Sequence, residues 1–151
     1  MKKITITLAV LLIGFTALRA QVQDPVKWNY SAVKKSGSEY IVTISAMLSQ
    51  DWHIYSMNTP VGGPVPTTLN FKKNPLVTLD GEIKETGKPK TIHDDVFGVD
   101  VKYYGETVSF VQTVKLKSAV KTNISGSIKY MVCNDKMCLP PKTVPFNIQL
   151  Q

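Results

Sequence analysis

Cys133 and Cys138 are the only two cysteines in a chain of 151 residues. They lie in the run Tyr130-Met131-Val132-Cys133-Asn134-Asp135-Lys136-Met137-Cys138-Leu139-Pro140-Pro141. An even cysteine count in an exported chain points to a disulfide. The spacing supports one, because the residues between them suit a hairpin loop. Residues opposed at the base of such a loop have α-carbons about 4.5–5.5 Å apart, within bridging range. A bridge that closes so short a loop contributes only about 2 kcal/mol by restricting the unfolded chain. Spacing alone leaves two readings open: a permanent structural staple, or a dithiol that exchanges reversibly with a partner.

Asp135 opposes thiolate formation and Lys136 only partly offsets it, with no helix expected nearby to stabilise the anion. Such a pair is a sluggish nucleophile that waits for a partner carrying an activated cysteine, typically in Cys-x-x-Cys. This chain has no Cys-x-x-Cys of its own. A zinc centre would need His53 and His93 as further ligands, and neither histidine stands at paired-ligand spacing. His53, in Trp52-His53-Ile54-Tyr55, reads as a strand residue. His93 precedes Asp94-Asp95-Val96-Phe97-Gly98, a polar loop with one aromatic anchor. No nucleophile elbow and no phosphate-cradling glycine loop occurs. No metal or cofactor is expected. Asn123-Ile124-Ser125 matches a glycosylation sequon, but inside a strand pattern it carries little information.

The elements that position the cysteines read as strands. Tyr40, Val42, Ile44, Ala46 and Leu48 share one parity. So do Val108, Phe110, Val114 and Leu116, with Gln112 as the exception, and Val144, Phe146, Ile148 and Leu150. Ile124, Ile128, Tyr130 and Val132 repeat the pattern, with Gly126 in register. Period-two alternation marks strands with one buried face. Val26 to Ala32 suggests another strand, and Trp52–Met57 and Thr67–Phe71 give weaker signals. Ser36-Gly37-Ser38, Asp80-Gly81 and Gly87-Lys88-Pro89 read as turns, and Pro60 to Pro66 cannot be a central strand. Seven or more short strands with no amphipathic helix predict an all-β, immunoglobulin-like antiparallel sandwich.

The N-terminus reads as a signal peptide over residues 1–20. Lys2 and Lys3 precede an apolar stretch from Ile4 to Phe15, and Ala20 offers a cleavage site before Gln21. The mature chain, 21–151, is then a single domain with no stable membrane insertion. Lys2, Lys3 and Arg19 fall in the signal, so the 18 basic residues become 15 against 11 acids, and the net charge drops from +7 to +4. The remaining bases are scattered and nearly all lysine, which argues against nucleic acid as a ligand.

These residues together resemble the N-terminal periplasmic domain of the thiol:disulfide interchange protein DsbD, the disulfide bond corrector family. The match rests on Tyr130-x-x-Cys133 with a short polar loop and Cys138-Leu139-Pro140-Pro141 leading into Thr143-Val144-Pro145-Phe146. The His93–Gly98 segment is similar to the family's cap, and Trp52–Tyr55 to a strand beside its cysteines. The resemblance spans about residues 26 to 150. It implies a redox-active pair in a protein-disulfide reductase component of the periplasm. Cys138 would exchange with the partner and Cys133 would resolve the mixed disulfide. Phe97, with Asp95 beside it, would form a lid, and His53 and Tyr55 would line the site. Partners would be thioredoxin-like proteins and a separate membrane electron relay. The cysteines here are separated by one residue fewer than in the best-studied members. Val96 stands where those members carry an acid, and His53 where they carry a phenol. Against this stands a secreted binding module with a permanent disulfide.

Overall fold

A computed structural model describes residues 24–151. The proposed signal segment lies outside the described residues. Within them the chain forms eleven strands: β1 Val26–Ser36, β2 Glu39–Leu48, β3 His53–Tyr55, β4 Thr68–Phe71, β5 Val77–Gly87, β6 Lys90–Asp94, β7 Val99–Tyr104, β8 Thr107–Leu116, β9 Thr122–Tyr130, β10 Val132–Cys133 and β11 Lys142–Leu150. The alternation of apolar and polar residues explains the long ones. In β2, Tyr40, Val42, Ile44 and Ala46 are buried and the intervening positions are partly exposed.

All strand pairs are antiparallel and fall into three sheets, ordered β1-β2-β8-β5, β10-β3-β7-β6 and β11-β9-β4. The core gathers Val42, Ile44, Val108, Phe110 and Val114 from the first sheet. Ile54 and Tyr104 join it from the second, and Ile124, Ile128 and Phe146 from the third. This is the expected immunoglobulin-like sandwich. Each fully buried aliphatic or aromatic side chain contributes about 1.5–3 kcal/mol.

The sequence pattern departs from the structure at three places. Asp80-Gly81 is a bulge inside the long edge strand β5, not a turn. Gln112, the polar exception in β8, is 2% exposed and fills that bulge: its amide donates to the carbonyls of Asp80 (3.0 Å) and Gly81 (3.3 Å). Its burial is therefore compensated by hydrogen bonds. Residues 90–104 form the β6–β7 hairpin: Asp94–Gly98, read from the sequence as a polar loop, is its turn, and the two flanking strands were not expected. Third, the run from Ile124 to Val132 is two strands. β9 ends at Tyr130, and after Met131 the chain leaves the third sheet to pair with β3 in the second. Gly126 lets β9 carry an aromatic ring on its face, since a Cβ there would meet the Phe146 ring at 2.6 Å.

Candidate functional site

The switch of sheets at Met131 places Cys133 beside the short strand β3. Val132 pairs with Ile54 and Cys133 pairs with His53. Side chains alternate faces along a strand, so the two faces of the second sheet carry different chemistry. Val132, Ile54 and Tyr104 point into the main core. Cys133, Tyr55 and Val101 form a separate buried cluster on the other face, with Val99, Tyr103 and Met131 packed against it. His53 shares that face by register.

Cys133 and Cys138 form a disulfide with α-carbons 4.0 Å apart, closer than the opposed-pair expectation. They face each other as an isolated antiparallel bridge. Asn134 organises the loop between them. Its side-chain oxygen accepts from the backbone N–H groups of Lys136 and Met137, both at 2.9 Å, and its own N–H donates to the Met137 carbonyl at 2.9 Å. This is the local turn chemistry for which asparagine is favoured. The pair is unequal: Cys133 is 2% exposed, whereas Cys138 is exposed.

His53 sits among aromatics. Its ring centroid is 4.5 Å from that of Tyr103 and 5.3 Å from that of Tyr55, and Nε2 is 3.4 Å from the Tyr55 hydroxyl. Burial lowers the His53 pKa, and the carboxylates of Asp135 and Asp94 oppose that shift. Burial pushes the Tyr55 phenol up to about 12, with Asp94 and Tyr103 adding to it. His53 also lines a cleft of about 720 Å³ together with Tyr103, Lys90 and Asp135.

The β6–β7 turn supplies the other expected site residues. The Asp94 side-chain oxygen accepts from the N–H groups of Val96 (3.0 Å) and Phe97 (3.3 Å), and Gly98 closes the turn by donating to the Asp94 carbonyl at 2.6 Å. Gly98 has φ +68, a left-handed conformation that glycine adopts without strain. Phe97 is half-buried and lies outside the apolar set packed on the Cys133 cluster, and Asp95 is exposed. His93 is directed away from this face: its Nδ1 is 2.8 Å from Asp100 on β7, and that hydrogen bond raises its pKa. The two histidines therefore stand on opposite faces of one sheet.

Tyr103 and Asp94 were not singled out by sequence reasoning. The Val99, Val101, Tyr103 alternation was the available signal for the first. A third feature was also silent, a carboxylate that ties the β3–β4 loop to the sandwich. The Glu85 side chain is 6% exposed and accepts from the Ser56 hydroxyl and the Met57 N–H, both at 2.6 Å. Tyr104 donates to it at 3.4 Å, and the Lys102 ammonium is 3.8 Å away.

The DsbD N-terminal domain of Neisseria meningitidis in the reduced form is similar in fold, with a TM-score of 0.55 at 17% identity over 82% of this chain and 84% of that one. The N-terminal periplasmic domain of ScsB from Proteus mirabilis gives 0.58 at 18% identity, covering 85% of this chain and 47% of that one. A structure of the complex between the DsbD and PilB N-terminal domains from Neisseria meningitidis gives 0.58 at 13% identity, covering 84% and 87%. No curated protein matches the sequence. The family model described as thiol:disulfide interchange protein DsbD, N-terminal, matches residues 19–150, and the chain belongs to that family.

Proposed function

We propose that this chain is an exported module that passes electrons between thioredoxin-like partners through a reversible Cys133–Cys138 disulfide. The observation that carries the reading is the unequal exposure of the two sulfur-bearing residues, Cys138 exposed at the base of its loop and Cys133 buried opposite it. A partner thiolate attacks the Cys138 sulfur, and the Cys133 sulfur leaves as a thiolate and takes up a proton. The partner's second thiolate then attacks its own sulfur in the mixed disulfide and releases Cys138. The partner's dithiol is oxidised to a disulfide and this chain's disulfide is reduced to two thiols. The same steps in reverse hand the electron pair onward.

Support comes from family membership and from a relative solved in the reduced form, where this chain has the bond closed. The complex of a related domain with the PilB N-terminal domain is a precedent for docking to a second protein. Met137 is 52% exposed beside Cys138, so apolar contact area adjoins the exposed cysteine. The ScsB neighbour is a periplasmic domain, which agrees with export by residues 1–20 and action in the periplasm. A separate membrane relay would supply the electrons. Phe97, with Asp95 beside it, covers the Cys138 side when the pair is reduced, while His53 and Tyr55 line the Cys133 side.

The test is reduction in the folded state. A thioredoxin-like protein with a reduced Cys-x-x-Cys should open the disulfide of the native chain in stopped-flow mixing, without unfolding. A bond that yields only after denaturant is added would identify a permanent staple.

A further inference from the structure

The face that holds Cys133 contains one side chain able to carry a proton near neutral pH, and it stands directly across the strand pair. His53 and Cys133 are register partners in β3 and β10. Directly opposed residues of an antiparallel pair project to the same face with Cβ atoms about 4.5–5.5 Å apart. Cys133 is closed off from water by Tyr55, Val101 and their neighbours, and a thiol in apolar surroundings ionises poorly. Its other strand-pair neighbours, Val132 and Ile54, are apolar. His53 links the buried sulfur to solvent: one side belongs to the cysteine face, and the other lines the open cleft.

We propose that His53 is the proton acceptor for Cys133 in the resolving step, and that it returns the proton to the departing thiolate. The proposal rests on the exchange reading above and adds a role to that site. With glutathione disulfide as oxidant, Cys138 as thiolate attacks one sulfur. The glutathione S–S bond breaks, and one glutathione leaves as thiolate. Cys133 then gives its proton to the neutral imidazole, and its thiolate attacks the Cys138 sulfur. The bond from Cys138 to glutathione breaks, and the second glutathione leaves as thiolate and takes the proton from the imidazolium. Two protein thiols become a disulfide, and one disulfide becomes two thiols.

Burial favours the neutral imidazole that this role requires. The charged and titratable groups facing His53 are Tyr55 on its own strand, Tyr103 on β7, Asp94 on β6 and Asp135 on the cysteine loop. Across the cleft, Lys88 and Lys90 stand against Asp51 and Glu106, so neither sign dominates. Asp94 and Asp135 stabilise the imidazolium once formed, which helps it hold the proton transiently.

The experiment follows the mixed disulfide between the reduced chain and glutathione by acid quench and mass spectrometry, from about pH 5 to about pH 9. In the parent, the rate at which it resolves should be flat at neutral and higher pH and fall only on the acid side of the ordinary histidine value of about 6.5, because burial lowers the His53 pKa. His53→Phe and His53→Gln should slow resolution about 100-fold at neutral pH, the lower end for general-base catalysis, and make it rise tenfold per pH unit with thiol ionisation alone. Asp135→Asn should keep the flat region and move its acid edge to lower pH. A parent rate that already climbs tenfold per unit overturns the role of His53 without recourse to any variant, as does an unchanged profile in both His53 variants. Loss of the flat region in Asp135→Asn would transfer the role to Asp135. A parent chain that glutathione disulfide never oxidises would instead contradict the exchange reading itself.

Discussion

Cys133 and Cys138 are bonded to each other yet live in different surroundings, one in a buried cluster with Tyr55 and Val101, the other exposed at the base of a surface loop. A staple has no use for this difference. An exchanging pair needs one sulfur that a partner can reach and one that it cannot.

Phe97 sits in a turn that Asp94 and Gly98 hold together through three hydrogen bonds. Its ring is proposed to shield the reduced pair, since an aromatic excludes oxidants and makes favourable contacts with sulfur. Phe97→Ala should leave the fold intact and speed oxidation of the reduced pair by small disulfides several-fold. Thiol loss followed against a reporter disulfide checks this, and an unchanged rate would remove Phe97 from the site.

Glu85 joins β5 to the loop after β3. Glu85→Ala would leave the Ser56 hydroxyl, which is 0% exposed, and the Met57 N–H without their acceptor. Unsatisfied buried groups cost about 1–3 kcal/mol each, so a loss of about 3 kcal/mol in urea unfolding is expected. Glu85→Gln retains a carbonyl acceptor and should lose less. Hydrogen exchange at Met57 should accelerate more than at β2, which shares no contact with this carboxylate. Equal acceleration at both would show that the carboxylate does not hold the loop.

Tyr55 and Tyr104 both have phenols raised to about 12, chiefly by burial, with Asp94 acting on the first and Glu85 on the second. The folded chain therefore binds more protons than the unfolded chain between about pH 10 and about pH 12. Their stabilising contribution is complete below about pH 10 and disappears as the pH rises to about 12, on the order of 2 kcal/mol for each ring. Tyrosinate absorbance should show a late component that Tyr55→Phe reduces. A parent chain whose six tyrosines have all ionised by about pH 11 while still folded would contradict these shifts.

Much of the fold was legible because β2, β8, β9 and β11 bury one face each, and alternation records that directly. Strand β5 was not, because eight of its eleven residues are exposed and the bulge breaks the alternation of the rest. The same holds for β6, whose members are exposed except the half-buried Asp94. Gln112 looked like a flaw in β8 because the bulge it fills lies some thirty positions away in sequence. At the site, the cysteine pair was legible since both partners and their loop are local. The pairing of His53 with Cys133, the aromatic contact of Tyr103 and the reach of Asp94 depend on strands that meet only in the folded sheet.

The roles of the two cysteines can be separated by trapping. Cys133→Ala and Cys138→Ala are each mixed with a thioredoxin-like protein, and the covalent conjugate is counted by non-reducing electrophoresis and mass spectrometry. With Cys133 absent, nothing resolves the bond to Cys138, so Cys133→Ala should accumulate a mixed disulfide and Cys138→Ala at most a trace. Equal yields from the two variants, or none from either, would contradict an exposed exchanging Cys138 backed by a buried resolving Cys133.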